Sequence, residues 1–226
     1  MSSVVSNESA IVTAAEPLSE APTSAPLTNG IPRWIDAIVA LVGLLLAAPV
    51  IGLCAASIAL TSGLPVLFWQ QRVGRYGRTF TMVKLRTMKP SHEGPQVTRR
   101  GDQRITRLGK FLRLTKLDEL PAFWNVLRGE MSLVGPRPEV PRYVDLDNAL
   151  WKTILQVRPG MTDPVTIWLR HEEQLLARAR GDSENFYLNQ LQPEKLTGYV
   201  EYLRHRTWRS DVRVLWRTLT AVVGHH

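Results

Sequence analysis

The order of apolar and polar residues divides the chain into three unequal parts. Residues 1–30 have no apolar period and are rich in Ser, Ala, Thr and Pro with scattered acids. Such a composition cannot offset the entropy of ordering, so residues 1–33 are expected to form a disordered tail. Residues 37–71 contain no charged side chain, and residues 37–60 read as Ala, Val, Leu, Ile and Gly around Pro49. As a helix that apolar core reaches about 36 Å, enough for a hydrocarbon layer of roughly 30 Å, and residues 34–62 are therefore predicted to be a membrane helix. Helices buried in soluble cores usually stop at ~10–14 residues. Pro49 removes a backbone donor and clashes with the preceding turn, which predicts a break near residues 45–49. The segment then either crosses the bilayer or bends and returns to the face it entered.

Beyond residue 63 the pattern is mixed and mostly helical. Short strands at 66–69 and 80–84 flank the turn-rich Gly74-Arg75-Tyr76-Gly77-Arg78, which predicts a hairpin. Helical spacing follows at 105–114, 119–128, 141–157, 166–180, 193–206 and 212–223, with a loop at 90–101. The last of these places Val212, Leu215, Trp216, Leu219 and Val223 on one face and Arg209, Arg213 and Arg217 largely around the other. That face suits either a lipid interface or packing on the domain core.

Charge sharpens the picture. The chain carries a formal net charge of +8, and because residues 1–33 hold Glu8, Glu16 and Glu20 against Arg33 alone, the basicity belongs to the folded part. An anionic partner is implied: nucleic acid, acidic lipid or a phosphorylated substrate. The positive-inside rule places the basic domain in the cytoplasm for either membrane topology. The lone Cys54 lies in the apolar run and excludes an intrachain disulfide or a multi-thiolate zinc site.

Candidate chemistry clusters in the middle of the chain. Residues 72–116 contain thirteen Lys or Arg against Glu93 and Asp102, a density that calls for an anion, either substrate phosphate or lipid headgroups. Asp118 and Glu119 follow directly, with Pro121 marking the first turn of a helix. Near that positive end a carboxylate is kept ionised and can serve as nucleophile or magnesium ligand, although capping by Asp118 would also explain the residue. In Gly135-Pro136-Arg137-Pro138 two prolines restrict the backbone around one arginine, which suits a planar phosphate contact as well as a stiff turn. Asp145 and Asp147 form an Asp-x-Asp pair of the kind that holds metal in some glycosyltransferases, but they fall in a predicted helix. There is no zinc motif around His171 and Glu172, no Walker loop and no dinucleotide fingerprint.

Taken in order, the Pro-broken apolar segment, Lys84-Leu85-Arg86-Thr87-Met88, the run from Arg113 to Glu119 into Leu120-Pro121, and Ser132-Leu133-Val134-Gly135-Pro136-Arg137-Pro138 resemble the bacterial sugar transferase family, the monotopic polyprenol-phosphate phosphoglycosyl transferases. The likeness runs from about residue 34 to the C-terminus and is densest over 104–138. It implies a membrane-anchored, mostly helical α+β fold: a re-entrant membrane helix over 34–62, broken here at Ala48-Pro49 where the family has Ser-Pro, and a small catalytic domain over 63–226 on the cytoplasmic face of the bacterial inner membrane. It further implies Asp118 as nucleophile, assisted by Glu119, with Mg2+ held at Asp118. Lys84, Arg86, Arg113 and Arg137 would form the phosphate surroundings. The expected partners are a UDP-sugar, undecaprenyl phosphate and membrane lipid rather than nucleic acid, with room for a homo-oligomer. The expected reaction transfers a sugar 1-phosphate and releases UMP through a covalent aspartyl intermediate, as the first step of a surface glycan. After Arg158-Pro159-Gly160 the chain reads Met161-Thr162-Asp163-Pro164-Val165-Thr166 and departs from many relatives, so no sugar specificity carries over. The rival readings are a metal-dependent glycosyltransferase using Asp145 and Asp147 and releasing UDP, and a non-catalytic anchored module binding polyanions.

Overall fold

The structure, a computed structural model, describes residues 30–89, 98, 101–169, 176 and 183–223. Most of the expected tail, the loop near 90–100 and the second half of the helix expected over 166–180 lie outside the described residues.

Helix α1 (Arg33–Ser62) is 30 residues long, contains Pro49, and is long and apolar enough to cross a membrane by length and composition. It stops at Gly63, whose φ of 73° suits a residue without a Cβ. Leu45, Leu46 and Leu53 lie exposed along its middle, whereas both ends pack on the rest of the chain. Ala40 belongs to a core cluster with Met82, Val126, Met131 and Val214, and Ile58 to a second one with Leu85 and Leu112.

Strand β1 (Leu67–Val73) pairs antiparallel with β2 (Thr79–Leu85), from Leu67 opposite Leu85 to Val73 opposite Thr79. The hairpin is longer than the apolar pattern suggests because Gln70, Gln71 and Arg72 continue the ladder. Gln71 donates across the pair to Thr81 Oγ1 at 2.9 Å, so a polar stretch sits on a strand.

Helix α2 (Arg107–Leu114) leads through a 3-10 turn (Leu117–Ala122) into α3 (Phe123–Arg128) and strand β3 (Ser132–Val134). The helix expected over 141–157 is instead a 3-10 turn (Pro141–Tyr143), a bend, and α4 (Ala149–Ile154). Local side chains cause the break: Asp145 accepts from the Asp147 N–H at 2.9 Å, and Asn148 accepts from Leu150 N at 2.9 Å to start α4 afresh. Strand β4 (Gly160–Thr162) pairs parallel with β3, and α5 (Pro164–Trp168) follows, its N-terminus capped by Asp163.

Helix α6 (Ser183–Phe186) continues through a π-helical stretch (Tyr187–Leu191) into α7 (Gln192–Arg204), and α8 (Trp208–Val223) ends the described chain. Val214 of α8 is buried in the first core cluster, while Val212, Trp216 and Leu219 remain exposed. The apolar face read from the sequence is thus mostly the outer one; of its residues Leu215 packs on the core, beside Val214. Mostly helical α+β describes the whole, with two two-stranded sheets among the described residues.

Candidate active site

The site is assembled where three segments converge: the end of β2, the turn after α2, and the loop after β3. Thr106 caps α2 by accepting from Gly109 N at 2.9 Å, and a Cβ on Gly109 would sit 2.0 Å from the Thr87 carbonyl oxygen. Glycine there lets the helix press against the chain leaving β2. Leu112 locks α2 into the cluster with Leu85 and Ile58. The chain then reverses at Lys116, held at φ 58° and ψ 15°, a left-handed conformation that costs a non-glycine residue about 1 kcal/mol or more. This reversal brings Asp118 and Glu119 under β2.

Glu119 is the electrostatic hub. It accepts from Lys84 Nζ at 2.9 Å and from Arg137 Nη2. Burial alone would raise its pKa, but the Arg137 and Lys84 cations outweigh that and hold the carboxyl well below the usual range. Burial lowers Lys84 to about 8, partly offset by Glu119. Arg137 is held firmly protonated by Glu119.

Asp118 differs from its neighbour. It is only 7% exposed, and its Oδ1 is buried with no hydrogen-bond partner. Burial, reinforced by the adjacent Glu119 charge, pushes its carboxyl above the ordinary value of 3.8. A capping aspartate would accept a backbone N–H in this turn, but the buried Asp118 Oδ1 accepts none. An orphaned carboxylate oxygen beside three cations, Lys84, Lys116 and Arg113, is suited to a phosphorus centre or a hard cation. Among the described residues no group of three or more His, Cys, Asp or Glu is placed to hold a metal. The donor set fits magnesium, which commonly takes one or two carboxylates and completes its shell with substrate phosphates and water.

Arg137 is fixed by its loop. A Cβ on Gly160 would lie 2.1 Å from Gly135 N, so both glycines are needed for β3 and β4 to meet. Gly135 N donates to Thr162 O at 3.0 Å, and Gly160 N to Pro136 O at 2.9 Å. On the other side Arg72 Nη1 donates to Pro138 O at 2.9 Å and Val73 N to Glu139 O at 2.8 Å. The loop is therefore clamped between the end of β1 and the start of β4.

The structure thus joins Lys84, Asp118, Glu119 and Arg137, with Arg113 close enough to act on Asp118 electrostatically. Arg86 is placed differently. Its Nη2 donates to the carbonyls of Ser62 at 2.7 Å and Gly63 at 2.6 Å, tying β2 to the end of α1, while Nη1 is buried without a partner. The Asp145–Asp147 bend makes only its own local turn.

Several supporting residues stand outside the motifs legible in the sequence. Buried Asn125 accepts from Val83 N and donates to Thr81 O, substituting for a third strand along β2. Asp163 is fully buried, its carboxyl raised by burial, and lies close enough to Arg137 to reinforce its charge. Asp36, Arg206 and Asp211 were equally silent, since each reads as an ordinary surface charge. A charge at the edge of an apolar run, as at Asp36, was the one usable signal. A cleft of about 380 Å³, lined by Trp69, Thr81, Trp124 and Arg128 among others, includes none of the four joined residues.

Residues 27–225 match the family model described as bacterial sugar transferase. The chain is 35% identical over 196 residues to a UDP-glucose:undecaprenyl-phosphate glucose-1-phosphate transferase of Caulobacter vibrioides, covering 84% of this chain and 69% of that protein. It is 32% identical over 210 residues to the enzyme of the same name from Escherichia coli, covering 90% of this chain and 42% of that one. A UDP-N-acetylgalactosamine-undecaprenyl-phosphate N-acetylgalactosaminephosphotransferase of Aeromonas hydrophila is 43% identical over 122 residues, 53% of this chain and 29% of its own length. The last two relatives extend well beyond the region matched.

Proposed function

The chain belongs to the bacterial sugar transferase family, and from that premise we propose that it transfers a sugar 1-phosphate from a UDP-sugar to undecaprenyl phosphate, releasing UMP. The observation that carries the reading is the division of labour between two adjacent carboxylates. Glu119 is consumed by Lys84 and Arg137, whereas Asp118 keeps a buried, unpartnered oxygen. That asymmetry suits a nucleophile beside a positioning carboxylate.

In the proposed first step an Asp118 carboxylate oxygen attacks the sugar-bearing β-phosphorus. An aspartyl O–P bond forms, and the bridging P–O bond breaks with its electron pair leaving on UMP. In the second step an oxygen of undecaprenyl phosphate attacks the same phosphorus and restores the carboxylate. Lys84, Arg113 and Arg137 lie where they would offset charge developing on the phosphoryl oxygens. Magnesium at Asp118 would supply further charge neutralisation for the diphosphate. Lys116, strained into a left-handed backbone beside Asp118, adds to the same field.

The membrane helix rationalises the acceptor, whose phosphate stays at the lipid interface. A straight helix of this length would extend about 45 Å, yet both ends of α1 pack on one small domain. This supports a helix that enters and returns; the excess of Lys and Arg in residues 63–226 favours the cytoplasmic face of the inner membrane for them. The exposed apolar side of α8, with Trp216 and Leu219, suits contact with the same interface.

The deciding experiment omits the acceptor. Detergent-solubilised protein given a panel of UDP-sugars, labelled in the sugar and in the β-phosphate, should release about one UMP per active site and retain label covalently. Release of UDP would favour direct glycosyl transfer. UMP release that occurs only with undecaprenyl phosphate, without protein-bound label, would favour a ternary complex.

A further inference from the structure

Among the described residues strand β3 has a strand partner on one side only. Ser132 and Val134 pair with β4, which leaves the Leu133 N–H pointing away from it. Among the described residues no third strand lies there; the donor is met by the membrane helix. Asp36, in the first turn of α1 and 2% exposed, accepts from Leu133 N at 3.1 Å through Oδ1 and from Ser132 Oγ at 2.5 Å through Oδ2. A second carboxylate closes the arrangement. Fully buried Asp211 accepts from Arg206 and from the Ile31 N–H at 3.0 Å, and Arg206 Nη2 donates to Val134 O at 2.7 Å. The base of α1 is therefore tied, directly or through one ion pair, to three consecutive residues that lead into Gly135-Pro136-Arg137-Pro138.

A buried carboxylate is an expensive way to attach a helix, because an apolar residue of similar size would bind it without desolvating a charge. What the carboxylate adds is direction: two acceptors specify the register and height of β3. We propose that Asp36 is a positioning residue for the transfer reaction, holding β3 so that Arg137 meets Glu119 and the substrate phosphate. The consequence for turnover rests on the function proposed above; the mechanical link does not.

The test uses the full chain in detergent or nanodiscs and has two arms. Hydrogen exchange, with no substrate present, should show Leu133 N–H exchanging at least about tenfold faster in Asp36→Ala and near the wild-type rate in Asp36→Asn, which keeps an acceptor. Turnover per folded molecule should fall about 10- to 100-fold in Asp36→Ala, as small misplacements of a catalytic group do. It should stay within about threefold of wild type in Asp36→Asn. In an Arg137→Lys background the same Ala substitution should cost less than about threefold more, because both changes disturb one contact. Should Asp36→Ala fail to fold, Ser132→Ala removes one of the two bonds and should give the same pattern in smaller measure. Unchanged Leu133 exchange, wild-type turnover in Asp36→Ala, or losses that multiply fully with Arg137→Lys would each overturn the proposal. A wild type inactive on every UDP-sugar would sink the functional reading instead, and the exchange arm would still decide the link.

Discussion

Asp118→Asn should yield a protein that is at least as stable as wild type and nearly inert. The side-chain oxygen Oδ1 makes no hydrogen bond, so replacing the carboxylate with an amide breaks none there. Burial and the Glu119 charge raise the folded-state pKa above 3.8, which means that folding favours the protonated form. By linkage the group then detracts from stability once pH exceeds its unfolded value, with the loss complete above the folded one. The attraction of Lys84, Lys116 and Arg113 opposes this but does not reverse the direction. Neutralisation should therefore leave stability unchanged or raise it by up to about 1–2 kcal/mol, as expected where function is built on a strained group. In a chain of this size that is a few degrees in Tm, roughly 2–4 °C per kcal/mol. Thermal unfolding in detergent without magnesium or nucleotide reads the first effect. Turnover should drop by about 10³-fold or more, because a neutral amide is a poor nucleophile. A fall in Tm of several degrees would mean that the carboxylate carries structural contacts, and normal turnover would remove Asp118 from the mechanism.

Arg137→Lys keeps the charge but not the fork of parallel donors, and kcat/KM should decrease about 10- to 100-fold in steady-state assays; unchanged kinetics would reduce the loop to a stiff turn. With Lys84 lowered to about 8, the rate should decline as pH rises through that value. Because its folded pKa lies below the ordinary lysine value of 10.5, stability should rise between about 8 and 10.5. The decline is therefore not unfolding; circular dichroism alongside the rate profile checks this, and a flat profile to pH 9.5 would show that the Lys84 charge is dispensable. Tags at residues 1 and 226 should both resist a membrane-impermeant label added outside intact spheroplasts, and labelling of the N-terminal tag alone would establish a spanning helix.

The features legible in the sequence were those written in local order. The charge-free run to residue 71, the turn at Gly74–Arg78 and the carboxylates before Pro121 needed only periodicity and proline geometry. Pairing across distance was hidden. β3 and β4 are three residues each, too short for an alternation to register, and their meeting depends on Gly135 and Gly160, which read simply as turn residues. Asp145 and Asn148 each look tolerable within a helix, yet their side chains bind the nearby backbone and divide it. Arg86 sits in the same motif as Lys84, and a continued strand would put both on one face; but β2 ends at Leu85, and past it Arg86 turns to the end of α1 while Lys84 reaches Glu119.

The way α1 enters both core clusters bears on how this enzyme is made and handled. Ala40 and Val214 share one cluster, so a residue near the start of the described chain waits for one near its end. During synthesis the apolar helix leaves the ribosome before the segments it packs on, with Leu45, Leu46 and Leu53 exposed. The catalytic fold can close around it only after α8 has been released. For the same reason deleting residues 1–62 should not give a soluble catalytic fragment. It would open a cavity at Ala40 and another at Ile58, uncouple Arg86 from Ser62, and leave two faces to be redesigned together before the remainder could stand alone in water.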